Sequence, residues 1–193
     1  MTLARRSRLD NASRMDDLAL SVRQARPSDA ADLARIYIES WQDTYAGILP
    51  HSLLSAMSHK GQAARWQQTM RGPGAVLIAE DSHFGPIGLA SLGPARDKGL
   101  GLDGEIYTLY VDPSFLGRGT GRTLLAASFA ALAEKKYRSC VIWAHARNNA
   151  CFFYEAMGGR RVGNRVTRIM GEETPEIAFG WKRLLVGDKV LRS

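Results

Sequence analysis

Three glycines at alternate positions, Gly117, Gly119 and Gly121, separate a predicted strand from a predicted helix. The strand covers residues 105–111 and the helix covers about residues 119–136. Glycine lets backbone N–H groups turn toward one point without obstruction by a Cβ atom. At a helix N-terminus, such donors and the helix dipole together form an anion-binding site. We therefore expect this loop to hold a phosphate or a pyrophosphate.

Two arginines, Arg118 and Arg122, alternate with these glycines and add positive charge. The common phosphate-binding fingerprints do not match the segment. The dinucleotide pattern G-x-G-x-x-G requires a third glycine where Arg122 stands, and the P-loop requires a lysine that is absent. A glycine turn without a ligand is the alternative that the spacing leaves open.

The net charge of +7, from 26 Lys and Arg against 19 Asp and Glu, is concentrated around the same loop. Residues 115–165 carry nine basic and two acidic side chains, which equals the net charge of the whole chain. A basic surplus suits nucleic acid, an anionic membrane surface or a small polyanion. No apolar run approaches the roughly 20 residues that cross a bilayer, so we expect no membrane partner.

The hydrophobic pattern predicts an α/β (α+β) domain with a single mixed central sheet. We expect residues 1–19 to form a poorly ordered leader and residues 20–193 to form one domain. Ser28 is the candidate N-cap of the first helix, and Glu172 and Glu173 are expected in a solvated turn. The predicted strands cover residues 20–25, 75–80, 87–92, 105–111, 139–144, 160–169 and 176–181. The predicted helices include residues 53–57, 60–70, 119–136 and 150–157.

Cysteine usage favours a cytoplasmic protein without a metal. Cys140 and Cys151 are the only cysteines, which is too few for a disulfide framework in a chain of this size. Neither they nor the four histidines show a spacing that is typical of zinc ligands.

Three segments together resemble the GNAT superfamily of acyl-CoA N-acyltransferases. The family motif Q/R-x-x-G-x-G/A is similar to the glycine loop here, with Gly119 and Gly121 at the glycine positions and Leu116 at the Gln/Arg position. Residues 148–159, Asn-Asn-Ala-Cys-Phe-Phe-Tyr-Glu-Ala-Met-Gly-Gly, resemble the second signature. Residues 40–50 resemble the first-helix region of a bacterial subgroup.

The resemblance implies the GNAT fold and transfer of an acetyl group from acetyl-CoA to an amine. The sheet is then mostly antiparallel, with a parallel fourth and fifth strand that splay apart. The pantetheine arm pairs with the fourth strand, and the pyrophosphate lies on the glycine loop. Asn148 is the expected amide contact. The other implied cofactor-binding residues are Leu109, Tyr110, Val111, Gly117, Arg118, Gly119, Thr120, Gly121 and Arg122.

Two residues match the catalytic positions of the family. Tyr154 matches the tyrosine that protonates the departing thiolate, and a core tyrosine is the structural alternative. An alkylamine with a pKa near 10.4 must lose a proton before it attacks, and a carboxylate can accept that proton directly or through water. Glu105 matches an acidic position that serves as this base in many relatives, and a solvated strand-edge charge is its alternative.

The acceptor amine has no recognisable sequence code. Trp41 and Tyr45 lie in the segment that lines the acceptor side in relatives, although helical aromatic residues also serve as core. The leading hypothesis is a small-molecule or peptide amine. The alternatives are an RNA-linked amine such as aminoacyl-tRNA, and a non-catalytic module that binds acyl-CoA or nucleic acid. The family often forms dimers, which leaves a homodimer open.

Overall fold

A seven-stranded sheet organises the residues that the computed structural model describes, which are 20–169 and 171–184. The strand order is β1-β2-β3-β4-β5-β7-β6, and all neighbours are antiparallel except β4 and β5. This arrangement confirms the predicted fold class. The strands are β1 (Leu20–Gln24), β2 (Ala75–Asp81), β3 (Gly85–Pro94), β4 (Gly104–Val111), β5 (Cys140–His145), β6 (Arg160–Ile169) and β7 (Glu172–Trp181).

Helices cover both faces of this sheet. On one face, α4 buries an apolar stripe against β2 to β5, and on the other face α1 and α3 pack on β2 and β3. Each fully buried Leu or Phe side chain stabilises the fold by about 1.5–3 kcal/mol. The helices are α1 (Ala30–Thr44), α2 (His51–Ser55), α3 (His59–Met70), α4 (Thr120–Glu134) and α5 (Ala150–Ala156). The buried stripe of α4 consists of Leu124, Leu125, Phe129 and Leu132.

Two local predictions were wrong. The residue that precedes α1 is Asp29, not Ser28, and its carboxylate accepts hydrogen bonds from the Arg26 backbone N–H and the Arg23 guanidinium. Glu172 and Glu173 belong to β7, which begins four residues earlier than predicted because it pairs with the whole of β6. The predicted leader at residues 1–19 lies outside the described residues, and its ordering stays a prediction.

The parallel pairing of β4 with β5 is short. It covers Gly104 to Ile106 against Cys140 to Ile142, and then the strands separate. At the same point β4 contains a bulge, because Ile106 pairs with Leu92 and Thr108 pairs with Ser91, which leaves Tyr107 as an extra residue. A bulge bends and twists its strand and re-aims the following side chains. The two strands therefore enclose a wedge-shaped gap beyond Tyr107.

The closed end of this gap is held by Asp103. Its carboxylate accepts hydrogen bonds from the Ser139 hydroxyl (2.5 Å), the Ser139 N–H (2.8 Å) and the Arg138 N–H (3.0 Å). Burial alone would raise the pKa of Asp103, but the hydrogen bonds from Ser139 and Arg138 outweigh it and lower the pKa to about 2. The residue before β4 is thereby fastened to the residues before β5.

We predict that Asp103→Asn lowers the free energy of unfolding by about 2 kcal/mol, the size of hydrogen bonds to a charged group. The Asp103 carboxylate makes its full contribution to stability above about pH 4. As the pH falls further, the carboxyl is protonated in the unfolded state before it is protonated in the folded state, so the contribution is lost as the pH approaches the lowered pKa of the folded state. Urea unfolding at pH 7 and pH 3 measures both effects.

The matched control for this measurement is Asp97→Asn, because the Asp97 carboxylate accepts the Gly99 N–H within its own loop. Asp97→Asn should lower the free energy of unfolding at pH 7 by less than Asp103→Asn does. Equal losses in the two variants would contradict the role of Asp103 as the fastening between the strands.

Candidate active site

The gap between β4 and β5 opens into a cleft of about 700 Å³. One wall is the end of β4, from Tyr107 to Val111, and the opposite wall includes Ile142, Trp143 and Ala144 of β5. Because the strands have stopped pairing with each other here, the cleft can receive an extended ligand that pairs with exposed backbone groups. The predicted residues Leu109, Tyr110 and Val111 all line it.

The end of β4 is fixed by contacts with α1. The buried Ser40 hydroxyl donates to the Val111 carbonyl (3.0 Å), and Arg35 bonds both Asp112 and the Pro86 carbonyl. Val111 therefore lines the cleft with its carbonyl already engaged. These contacts hold β4 in position up to the glycine loop.

The glycine loop closes one end of the cleft. Gly117 and Gly119 have φ angles of +76° and +86°, a left-handed conformation that costs other residues roughly 1–2 kcal/mol. An added Cβ atom at either position meets nothing within 4 Å in the protein, so the space is open for a ligand. Helix α4 begins directly after Gly119, and its first N–H groups have no partner within the helix. Gly117, Gly119, Gly121 and Arg122 line the cleft.

Two predicted loop residues do not belong to the lining. The Arg118 guanidinium lies over the Phe115 ring at 4.9 Å and faces solvent. The Thr120 side chain is only 2 % exposed and packs into the protein, so Thr120 offers its backbone N–H alone. An anion held at this loop would meet chiefly backbone donors and the positive end of the α4 dipole.

Tyr154 projects from α5 into the cleft wall with a relative exposure of 4 %. Its ring packs against Phe153, Phe179 and Trp181. Burial raises the pKa of Tyr154 above its usual value, so the phenol stays protonated at neutral pH. A protonated, desolvated phenol at the edge of the cleft can donate its proton to a strong base that forms there.

Asn148 lines the cleft at the junction of β5 and α5. Its Oδ1 atom accepts the Ala150 N–H (2.8 Å) and so helps begin α5. The Nδ2 group is the part of the side chain that remains for a ligand. Asn148 thus positions the helix of Tyr154 as well as facing the cleft.

Glu105 lies at the start of β4, next to the closed end of the gap, and is 1 % exposed. Its Oε2 atom accepts the Arg96 N–H (2.8 Å), and its Oε1 atom accepts from Arg96 Nε (3.0 Å) and Nη2 (2.5 Å). Glu105 is not among the cleft-lining residues, whereas Tyr107, two positions later, is. A proton can reach this carboxylate from the cleft only through an intervening group or water.

The structure brings Tyr45, but not Trp41, to the cleft. Trp41 lies behind it, with ring centroids 4.6 Å apart, and also stacks on Tyr37. On its other side Tyr45 contacts the His145 ring at 6.1 Å. Burial, together with the nearby Arg147 charge, lowers the pKa of His145, whose Nδ1 accepts the Arg147 N–H, so the neutral ring carries its proton on Nε2.

Sequence reasoning missed a group of side chains at the inner end of the cleft. Tyr107 and Trp143 line it from the two separating strands. A guanidinium lies over each ring, Arg96 over Tyr107 at 4.7 Å and Arg165 over Trp143 at 3.8 Å. These residues are far apart in the sequence. Their proximity could have been predicted only from knowledge of which strands pair with each other.

Comparisons with known proteins agree with this geometry. A model of the acetyltransferase (GNAT) family matches residues 32–159. The uncharacterized N-acetyltransferase YuaI of Bacillus subtilis (strain 168) is 32 % identical over 166 residues, which cover 86 % of this chain and 94 % of YuaI.

Solved structures share the fold. The PaiA N-acetyltransferase of Thermoplasma acidophilum, in complex with coenzyme A, superposes with a TM-score of 0.62 at 20 % identity and covers 82 % of this chain and 98 % of its own. The putative acetyltransferase yncA of Salmonella typhimurium, with acetyl-CoA, gives a TM-score of 0.63 at 20 % identity and covers 86 % and 94 %.

The glycine loop, the separated parallel strands and the family match define an acyltransferase. The chain belongs to the acetyltransferase (GNAT) family. Among the described residues there is no cluster of three or more His, Cys, Asp or Glu side chains that could hold a metal ion. None of the helices described is both long and apolar enough to cross a membrane.

Proposed function

We propose that the protein transfers an acetyl group from acetyl-CoA to a primary amine by direct attack. The observation that carries the proposal is the continuity of the cleft, which runs from the glycine loop, along the separated strands, to Tyr154. An elongated donor with phosphates at one end and a reactive thioester at the other matches this order. Bound acetyl-CoA would supply an activated acetyl group.

The residues of the cleft fit such a donor. Backbone N–H groups of Thr120, Gly121 and Arg122 begin α4 and would hold the pyrophosphate. The open space beside Gly117 and Gly119 lets phosphate oxygens approach the backbone. Backbone groups of Leu109 and Tyr110 would pair with the amides of the pantetheine arm, and Asn148 Nδ2 would add a contact. The coenzyme A and acetyl-CoA in the PaiA and yncA structures support this choice of donor.

Tyr154 is proposed as the general acid. As the amine nitrogen bonds to the acetyl carbon and the carbon–sulfur bond breaks, the phenol would donate its proton to the departing sulfur. Its raised pKa keeps this proton in place until a strong base appears beside it.

Glu105 is proposed as the general base, acting through water. The amine must lose one proton, and the cost of deprotonating an alkylamine at pH 7 is roughly 4 kcal/mol. The Glu105 carboxylate lies behind Tyr107, and Arg96 holds it in one orientation. A water between the amine and Glu105 would pass the proton to the carboxylate, which three hydrogen bonds from Arg96 hold in place.

The alternatives have less support. Three of the four arginines on β6 have acidic partners: Arg161 pairs with Glu155, Arg165 with Glu176 and, at 3.8 Å, Arg168 with Glu173. This pairing reduces the basic surplus that favoured nucleic acid. We propose a small-molecule or peptide amine as acceptor and a cytoplasmic setting, which suits two free buried thiols, Cys140 and Cys151. Dimerisation stays a prediction.

We predict that Tyr154→Phe lowers kcat by about 100-fold, within the usual contribution of a general acid. The dissociation constant of acetyl-CoA should stay within about twofold, since Phe retains the ring packing. Thiol release under saturating acetyl-CoA and calorimetric binding measure the two quantities. Tyr137→Phe, at a half-buried tyrosine after α4, is the matched control. Unchanged kcat in Tyr154→Phe would remove the proposed role.

We predict that Glu105→Gln lowers kcat/KM for the amine at pH 7 by about 100-fold, the low end of general-base effects. The deficit should shrink as the pH approaches the pKa of the amine, because more of it is then already deprotonated. A pH–rate profile from pH 6.5 to 9.5 measures this convergence. Glu134→Gln, at the exposed end of α4, is the control. A deficit that is constant with pH would assign Glu105 a structural role instead.

We predict that Gly119→Ala weakens coenzyme A binding roughly tenfold, or about 1.4 kcal/mol. The left-handed backbone is strained by a Cβ atom, and that atom occupies the space offered to phosphate oxygens. Gly171→Ala is the matched control, because Gly171 has a φ angle of +92° in the exposed β6–β7 turn. Gly171→Ala should lower the free energy of unfolding and leave coenzyme A affinity unchanged. Equal coenzyme A affinity in both variants would be incompatible with the phosphate site.

A further inference from the structure

Two matching stacks of side chains flank the inner end of the cleft. In the first, Glu105 binds the Arg96 guanidinium, which covers the Tyr107 ring. In the second, Glu176 on β7 binds Arg165 Nε (2.7 Å), and the guanidinium covers the Trp143 ring. Each cation is thus fixed at its edge by a carboxylate and on its face by an aromatic ring. Guanidinium groups held in this way keep a defined plane.

The stacks stand on opposite sides of the gap. Tyr107 belongs to β4 and Trp143 belongs to β5, and both rings line the cleft where the parallel pairing ends. The negative charge of Glu176 also raises the pKa of Arg96, although less than Glu105 does. The same charge helps to raise the pKa of Tyr45. Tyr107, Trp143 and Tyr45 line the same cleft, and the first two carry a guanidinium over their rings. The glycine loop is at the other end of the cleft, so this space faces the acceptor.

Hydrogen-bond donors remain available beside this space. A guanidinium has five N–H groups. Arg165 bonds Glu176 through Nε, and Arg96 bonds Glu105 through Nε and Nη2. Arg96 Nη1 and both Nη groups of Arg165 make no hydrogen bond to the described residues. The carboxylates, in contrast, already have cationic partners, and a second cation would be repelled by the arginine of each pair.

We propose that the acceptor amine carries a carboxylate close to its amino group, as a free amino acid does, and that Arg165 and Arg96 bind this carboxylate. The inference rests on the proposed acetyl transfer. Planar guanidinium groups match a carboxylate by paired N–H···O bonds. Binding there orients the amino group toward the gap, beside Tyr107 and the route to Glu105. Arg165 and Arg96 are acceptor-binding residues and take no part in bond making.

Steady-state assays with acetyl-CoA and three matched acceptor sets test the inference. The sets are free L-amino acids, the corresponding α-amides, and the decarboxylated amines, with thiol release as the readout. The best free acid should exceed its amide in kcat/KM by roughly 10- to 100-fold, as expected for hydrogen bonds to a charged group. In Arg165→Gln the ratio of kcat/KM for the acid to kcat/KM for the amide should fall toward one, mainly because KM for the acid rises. Arg165→Lys, which keeps the charge without the planar fork, should be intermediate.

Arg168→Gln is the matched control, because Arg168 lies on the same strand, its side chain is largely exposed, and its ion pair with Glu173 is loose, at 3.8 Å. It should retain the full preference for the acid. Coenzyme A binding, measured by calorimetry, verifies that each variant is folded.

Three results would overturn the inference alone: amides or decarboxylated amines that are acetylated as well as the acids, an Arg165→Gln variant that keeps the preference, or turnover of aminoacyl-RNA without turnover of any free acid. If coenzyme A binds but no acceptor in any set releases thiol, the proposed acetyl transfer fails together with the inference.

Discussion

The early end of the parallel pairing between β4 and β5 is the constraint on which the rest of the site depends. Ile106 and Ile142 form the last pair, and the extra residue Tyr107 turns β4 away from its neighbour. Where two neighbouring strands do not pair, their backbone N–H and C=O groups lack hydrogen-bond partners. Leaving such groups unsatisfied costs free energy unless another partner bonds to them. The structure keeps the gap open by fastening both of its ends, with Asp103 at the closed end and Ser40 at Val111.

The other parts of the site are positioned by this gap. Strand β4 leads toward the glycine loop, so the proposed phosphate site lies at one end of the gap. Strand β5 leads into Asn148 and α5, which places Tyr154 against its wall. In the proposed function, backbone groups hold most of the donor, and side chains serve proton transfer and acceptor binding. The positive end of α4 is fixed in the fold, whereas two arginines of the basic stretch, Arg161 and Arg165, are matched by acidic partners.

The contiguous parts of the site could be predicted from the sequence. The glycine loop and the segment from Asn148 to Tyr154 carry short motifs, and the order of elements gives the sheet. The bulge could not be predicted, because strict alternation puts Thr108 on the same face as Ile106. In the structure Thr108 is on the opposite face, where it bonds Ser91. Arg165 and Glu176 meet Trp143 only because β7 is inserted between β5 and β6. Glu105 was predicted from its match to an acidic position in relatives, but its engagement by Arg96 depends on a contact that the sequence does not show.

Amide hydrogen exchange along β4 distinguishes a donor that lies in the gap from one that is held at the glycine loop alone. We expect saturating coenzyme A to slow the exchange of amides within residues 107–111, because a bound pantetheine arm would pair with backbone groups that β5 leaves exposed. Amides of residues 104–106, which are already paired with β5, should be unaffected. Slowed exchange confined to the glycine loop, with residues 107–111 unchanged, would contradict the claim that the gap is the donor site.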